Sequence, residues 1–225
     1  MIKKLITLAA ALGFVSIATV SSYADGADAH SGMYVGVTGS AFGIEVDGSE
    51  TSKGGDNNNN TTATAGKFAF IGGGELGMSF AITDGFLVDL GFSMVPGAAK
   101  LSTNASDTTD SDATMNIENY RTLSISPTIA INDTAAMYLK VGYTEADVAV
   151  TGDITKPANL EGTTLAIGTR LQMASGMYVR TEAGYTDFDD ITATGKGTAG
   201  GIANTTTFKA DPTAAYGKVV VGYKF

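Results

Sequence analysis

Residues 218–225 read KVVVGYKF. Successive side chains of an extended strand point to opposite faces. Val219, Val221, Tyr223 and Phe225 therefore share one face, and Lys218, Val220, Gly222 and Lys224 share the other. The stretch ends on an aromatic residue with an apolar face beside it. A strand with lipid on one side and a barrel lumen on the other carries this pattern. The competing reading is the edge strand of a soluble sandwich, and the rest of the chain decides between them.

Residues 1–24 read as a secretory signal. Lys3 and Lys4 form a basic start, Leu5 to Val20 an apolar run, and Ser22-Tyr23-Ala24 a small-residue cleavage site. A transmembrane anchor is the alternative, but polar Asp25, Asp28 and His30 follow at once. The expected mature domain is 25–225. Loss of Lys3 and Lys4 takes the formal net charge from -9 to -11. That argues against nucleic acid as a partner, because a phosphate backbone needs a basic surface. With 0 Cys, no disulfide holds this exported chain, so a core or a closed sheet must. The 29 Gly against 4 Pro suit a strongly bent sheet better than helices. No apolar run of helix-spanning length follows residue 24. Entry into a membrane would therefore require a closed barrel, where every backbone polar group has an internal partner.

Period two recurs in eight segments, near 33–42, 67–81, 86–95, 117–131, 136–146, 162–172, 177–187 and 214–225. In the second, Phe68, Phe70, Leu76, Met78 and Phe80 oppose Ala69, Gly73, Glu75, Gly77 and Ser79. Short turns near 84, 133 and 175 alternate with polar stretches at 43–66, 97–115, 147–161 and 187–213, which read as long loops. Tight turns on one rim and long loops on the other is the pattern of bacterial outer-membrane barrels. The expected fold is all-β: an eight-stranded antiparallel up-and-down transmembrane barrel with short periplasmic turns and long extracellular loops. Pro127 predicts a bulge or strand end in the fourth segment. Arg121 falls on its apolar face, either snorkelling near the loop end or shifted by a bulge.

One face of the segments is Leu, Ile, Val, Phe and Met with almost no charge. The other is Gly, Ser, Thr and seven ionised groups: Glu75, Asp89, Lys140, Arg170, Arg180, Glu182 and Lys218. Small residues crowd this second face, as a narrow lumen requires, and its charges are too few for a solvated surface. The seven are expected to form one lumen network. An eight-stranded barrel is just wide enough to be filled by side chains, so the network reads as a plug. A gated ion path is the alternative. Tyr34, Tyr143, Tyr185, Tyr216 and Tyr223, with Phe68, Phe80, Phe86 and Phe225, lie near strand ends, as aromatic girdles do, although Tyr34 and Tyr216 count as lumen-facing.

GMYVGVTGS near the first segment, MYVRTEAGYTDF in the seventh and the terminal VVVGYKF resemble small outer-membrane barrels of the opacity-protein type, similar in fold to the membrane domain of outer membrane protein A. The resemblance spans about 25–225. It implies an eight-stranded barrel in the cell outer membrane, surrounded by outer-membrane lipids, with no cofactor and with variable exposed loops. Relatives serve as adhesins, surface antigens, envelope stabilisers or minor pores. Val219, Val221, Tyr223 and Phe225 resemble the C-terminal signal read by the barrel-assembly machinery. No peptidoglycan-binding domain is expected beyond the barrel.

Catalysis is not expected. His30 is the single His, it precedes the first strand, and no Cys nucleophile exists. Asp187, Asp189 and Asp190, and Asp107, Asp110 and Asp112, lack the spacing of a calcium loop and read as solvated acidic loops. GGGE at 72–75 precedes no helix and is no phosphate loop. The expected function is surface interaction with a host or cell-surface ligand, or envelope structure, carried by the loops. The alternatives are a narrow pore and a soluble periplasmic lipocalin-like carrier holding its ligand among Phe70, Leu76 and Phe92.

Overall fold

The computed structural model describes residues 26–54, 57–102, 114–151, 159–199 and 202–225. The leader read at 1–24 lies outside the described residues. One helical turn, α1 (Ala27–His30), precedes nine strands: β1 (Gly32–Gly54), β2 (Asn57–Thr83), β3 (Phe86–Ser102), β4 (Thr114–Asn132), β5 (Ala135–Thr151), β6 (Leu160–Gln172), β7 (Met177–Phe188), β8 (Ile191–Ala199) and β9 (Ile202–Lys224). Strands β1 to β7 pair in sequence order, β7 pairs with β9, and β9 closes on β1. All these pairings are antiparallel. The closing seam matches Val35 with Tyr223, Val37 with Val221 and Ser40 with Lys218. β8 adds no ninth wall position. It pairs with β9 from Ile191↔Ala210, just beyond the Asp187↔Thr213 end of the β7 ladder. β7 and β8 are thus one line of an eight-stranded wall, broken at Asp189–Asp190.

The stretches read as long loops are largely strand. The 43–66 region is a continuous β1–β2 ladder from Gly43↔Phe68 up to Gly54↔Asn57. Most of 187–213 is the β8–β9 hairpin. The 97–115 and 147–161 stretches keep only 103–113 and 152–158 outside the described residues. The physical reason is that a strand above the bilayer has water on both faces, so it needs no apolar alternation. Thr still favours the pleated backbone there. A tilted strand crosses the hydrocarbon in about 9–11 residues. β1, β2 and β9 have 23, 27 and 23 residues and rise well beyond it. β2 leaves β3 above Gly74↔Met94. The extensions therefore form two flanges, β8–β9–β1–β2 and β3–β4–β5.

Pro127 does not bulge its strand. The register to β3 runs through Val88↔Pro127, and the register to β5 is the same at Ile125↔Val141 and Thr128↔Tyr138. The Thr128 hydroxyl donates to the Ser126 carbonyl at 3.1 Å, a local hydrogen bond where the ladder to β5 lapses. The shift lies higher, between Glu118 and Arg121, where Asn119 adopts φ 52°. It leaves Arg121 on the outer face, paired with Glu145 (3.3 Å) and Asp147 (3.0 Å).

The apolar face points outward. Met33, Val35 and Val37 of β1, Phe68, Phe70, Leu76 and Met78 of β2, and Val219, Val221, Tyr223 and Phe225 of β9 are all exposed. Phe70 is 81% exposed and Leu76 56%, so the residues proposed to hold a carrier's ligand face away from the interior. On β1 this band ends near Gly43, where Glu45 and Asp47 follow on the same face. The Phe68–Phe70 ring pair stands towards the upper edge and the Tyr223–Phe225 pair at the lower. Tyr34 is buried in the lumen rather than at a girdle.

Val221 lies in the outward band between Val37 and Val179. Val221→Lys should lower stability by about 2–4 kcal/mol at midplane depth. Thr192→Lys, on the β8 extension, should change it by less than about 0.5 kcal/mol. Urea titration in lipid vesicles, read by gel migration without boiling, measures both. Equal stability of the two variants would refute the orientation of the wall.

Candidate functional site

Alternation of small and long residues builds the lumen. On β5 to β7 the inward positions include Tyr138, Lys140, Gly142, Thr144, Thr164, Gly168, Arg170, Arg180, Glu182, Gly184 and Thr186. Glycines make room for tyrosine rings from neighbouring strands. A Cβ added at Gly77 would overlap Tyr34, one at Gly168 Tyr138, one at Gly184 Tyr216, and one at Gly222 Tyr178. The rings lie across the lumen; Tyr138, Tyr178 and Tyr216 aim their hydroxyls at its acids, and that of Tyr34 lies over Gly77 and Gly91.

All seven ionised lumen residues are connected. Glu182 accepts from the Tyr138 hydroxyl at 2.8 Å and from Lys140 on one oxygen. Its other oxygen accepts from Tyr216 at 2.8 Å and pairs with Lys218 at 3.0 Å. Lys218 reaches Glu75 at 3.5 Å. Glu75 accepts from Tyr178 and from Arg180, each at 3.2 Å. Arg180 then meets Asp89 at 3.3 Å, and Asp89 meets Arg170 at 2.6 Å. The Arg180 guanidinium also lies 4.4 Å from the centre of the Tyr138 ring and 5.1 Å from that of Tyr34. Each of the seven side chains is buried.

Desolvating these groups costs several kcal/mol per ion unless partners compensate. Glu182 is fully compensated, with four donors on two oxygens. Asp89 is not: its Oδ1 is buried without a hydrogen-bond partner among the described residues, as are Arg180 Nε, Thr38 Oγ1 and Ser40 Oγ. Unpartnered polar atoms thus occur along the network, at Asp89 and Arg180 towards the mouth and at Ser40, which lies opposite Lys218 in the β1–β9 ladder.

Two further layers close the lumen above the charges, and periodicity did not reveal them. Hydroxyls join β4 to β7 through Thr122–Thr144 (2.9 Å), Thr144–Thr164 (2.6 Å) and Thr164–Thr186 (2.6 Å), with the Tyr120 hydroxyl against Thr186. Beyond them Ile44, Ile117, Ala146, Val148, Leu160, Phe188 and Ala214 form an apolar cap. Phe42 bridges the layers, 5.0 Å from the Tyr120 ring and 5.3 Å from Tyr216. The signal was present in the sequence as apolar residues at inward parity, Phe42 and Ile44 on β1 and Phe188 on β7.

Below the charges lies α1. His30, read only as a residue preceding the first strand, is fully buried in the mouth of the barrel. Its backbone carbonyl accepts from Arg170 at 3.0 Å. Among the described residues, no group of three His, Cys, Asp or Glu side chains is placed to hold a metal ion. Asp187 makes the last β7–β9 pair, Asp189 and Asp190 form the wall break, and Asp107, Asp110 and Asp112 lie outside the described residues.

Glu182→Ala strands Lys140, leaves Lys218 with Glu75 alone at 3.5 Å, and should cost about 3–5 kcal/mol. Arg121→Ala, which removes an exposed outer pair, should cost no more than about 1 kcal/mol. Thermal conversion of the compact gel band to the unfolded one ranks the two. A Glu182→Ala barrel as heat-resistant as the parent would show that the network does not hold the wall.

A family model described as the outer membrane protein beta-barrel domain matches residues 7–225. No characterised protein sequence matches the chain significantly. Among solved structures, the outer membrane protein OprG of Pseudomonas aeruginosa is similar with a TM-score of 0.54 at 11% identity, covering 87% of this chain and 97% of that one. The attachment invasion locus protein Ail of Yersinia pestis, solved with a heparin analogue, aligns at 10% identity with a TM-score of 0.38, covering 81% and 98%. OprG supports the fold alone at that identity. The match over nearly the whole chain, on a closed antiparallel wall with an outward apolar band, settles the assignment: the chain belongs to the outer-membrane protein β-barrel family and is a protein of the bacterial outer membrane.

Proposed function

We propose that this protein is a closed outer-membrane barrel that acts through its extracellular flanges, in contact with a cell-surface or host ligand or as an element of the envelope. The carrying observation is the obstruction of the lumen by three chemically different layers: the ion network, the hydroxyl row and the apolar cap. A conducting path would need all three to open together. Among the described flange residues, Glu45, Asp47, Ser49, Thr62, Thr64, Thr192 and Lys209 are exposed, where water or a partner can reach them. On this reading the outer band meets lipid, and Val219, Val221, Tyr223 and Phe225 present the alternating C-terminal face expected of a substrate of the barrel-assembly machinery.

A narrow pore is the second reading. The unpartnered Asp89 Oδ1 and Arg180 Nε favour it, because imperfect pairing lowers the cost of exchanging partners. Two measurements separate the readings. Protease added to intact cells should cut within 43–66 or 187–213, and the purified barrel should be silent in planar bilayers. Discrete conductance that changes in Arg180→Ala or Glu182→Ala would overturn the closed-barrel proposal in favour of the pore.

A further inference from the structure

We propose that Gly26–Ser31 is a periplasmic strap across the lower mouth of the lumen, and that uptake of a second proton by His30 releases it. The strap is held from four sides. The Ala27 N–H donates to the Asp84 carbonyl in the β2–β3 turn at 2.8 Å. Lys224 of β9 donates to the Ala29 carbonyl at 2.6 Å. Arg170 of β6 donates to the His30 carbonyl, and the same guanidinium holds Ser79 at 3.1 Å and Asp89. The His30 imidazole meets the Asn132 carbonyl of β4 at 2.9 Å through Nε2. Ala27 packs against Leu87 and Ala130.

Glycines define the two ends of the strap. Gly32 has φ 114°, which turns the chain sharply from the mouth into β1. Gly26 sits so close to Asn132 that an added Cβ would lie 2.6 Å from its carbonyl carbon. Asn132 is itself fixed: its side-chain oxygen accepts from the Thr134 and Ala135 N–H groups, each at 2.9 Å. The carbonyl aimed at His30 is therefore part of a built turn.

A carbonyl oxygen only accepts, so His30 Nε2 carries the proton of the neutral ring. Nδ1 is then bare, buried, and without a hydrogen-bond partner among the described residues. A second proton would place a desolvated cation there. The charged groups facing the ring are Arg170 of β6 and Lys224 of β9, with Asp89 of β3 opposing them. The carboxylates of Asp28 in the strap and of Asp84 and Asp133 in the two turns are exposed to water. Burial first, and then the two cations, push the imidazole below its ordinary value, against the pull of the Asn132 hydrogen bond. A depressed value means that the docked strap binds fewer protons than the released one. Docking is therefore fully stabilised above about pH 6.5 and weakens as pH falls towards the depressed value. Release would expose Leu87 and the Arg170–Asp89 end of the network to periplasmic water, while the cap stays closed.

The chain has 0 Cys and 1 His, which makes the test direct. Ala27→Cys and, as an exposed turn control, Ala174→Cys are each reacted with a water-soluble maleimide in detergent micelles at about pH 7.5 and about pH 5.5, either side of the ordinary imidazole value. The ratio of the two rates cancels the pH dependence of the thiol. The strap predicts a low ratio at the higher pH that rises by up to about tenfold in all at the lower one, because the gain begins only below about pH 6.5. In the Ala27→Cys, His30→Gln background the side-chain donor to Asn132 is retained but cannot titrate, so the ratio should stay low at both. Gel migration without boiling verifies that each variant is folded. A ratio that ignores pH in the chain that keeps His30, or that rises equally in the His30→Gln background, overturns the proposal. So does an imidazole NMR titration at or above the ordinary His value.

Discussion

Every backbone N–H and C=O that enters hydrocarbon must find its partner within the protein. For a chain of strands this leaves one solution, a wall with no edge, and the β1–β9 seam is where the solution is completed. Twenty matched positions run along that seam, from Tyr34↔Lys224 to Lys53↔Thr205. The alternation in KVVVGYKF follows from it. A closing strand has lipid on one side and lumen on the other, so Val221 and Val220 are sorted to opposite environments although their side chains are alike. Val220 is buried against Tyr34 and Tyr178, and Val221 is exposed on the outer band.

Closure at eight strands then dictates the interior. The bore is narrow enough to be filled by side chains, and the wall puts its polar face inside. Charges confined there lose their water and must be rebuilt into pairs. The tyrosines solve part of this. Tyr138, Tyr178 and Tyr216 each give a hydroxyl to Glu75 or Glu182 while their rings fill the bore over a glycine. One residue type therefore supplies both volume and a donor, which neither Phe nor Ser could do alone. Arg180 is held the same way, by carboxylates at its ends and by tyrosine faces across its plane.

Much of this was legible in the residues because the membrane imposes strict alternation. The parity that puts Phe70 outside also puts Glu75 inside, and Asp89, Lys140, Arg170, Arg180, Glu182 and Lys218 are buried as Glu75 is. It failed where the constraint is absent. Above the bilayer a strand such as 191–199, ITATGKGTA, has no lipid to sort its faces: Thr and Lys still alternate with Ala and Gly, but beyond Ile191 no large apolar residue marks either face while the ladder continues. Inside the upper barrel, Ile44 and Phe188 look like errors of parity when read alone; they are a cap, visible only once β1, β4, β5, β6, β7 and β9 converge. Pro127 interrupts the ladder to β5 without a bulge, because its missing N–H costs pairing at that point while the register on either side is unchanged. His30 was the least legible. Its partners lie 102 and 140 residues away, and no local pattern encodes such contacts.

The order of the layers has its own consequence. The apolar cap faces the exterior and keeps water from the hydroxyl row, which lies between it and Glu182. The best-compensated acid thus sits under the driest part of the lumen. The least compensated one, Asp89, lies at the opposite end, against Arg170 and the mouth closed by Gly26–Ser31. Close-packed interiors transmit strain poorly unless they hold two arrangements of similar energy. The hydroxyl row offers none, since Thr122, Thr144, Thr164 and Thr186 bond one another in an unbroken chain. The lower end does, since its polar atoms are incompletely paired and its closure is a turn with Gly32 at its junction to β1. Events at the flanges and events at the periplasmic mouth are therefore separated by a rigid middle. What the outer surface recognises need not pass through the lumen, and what the mouth responds to comes from the periplasmic side.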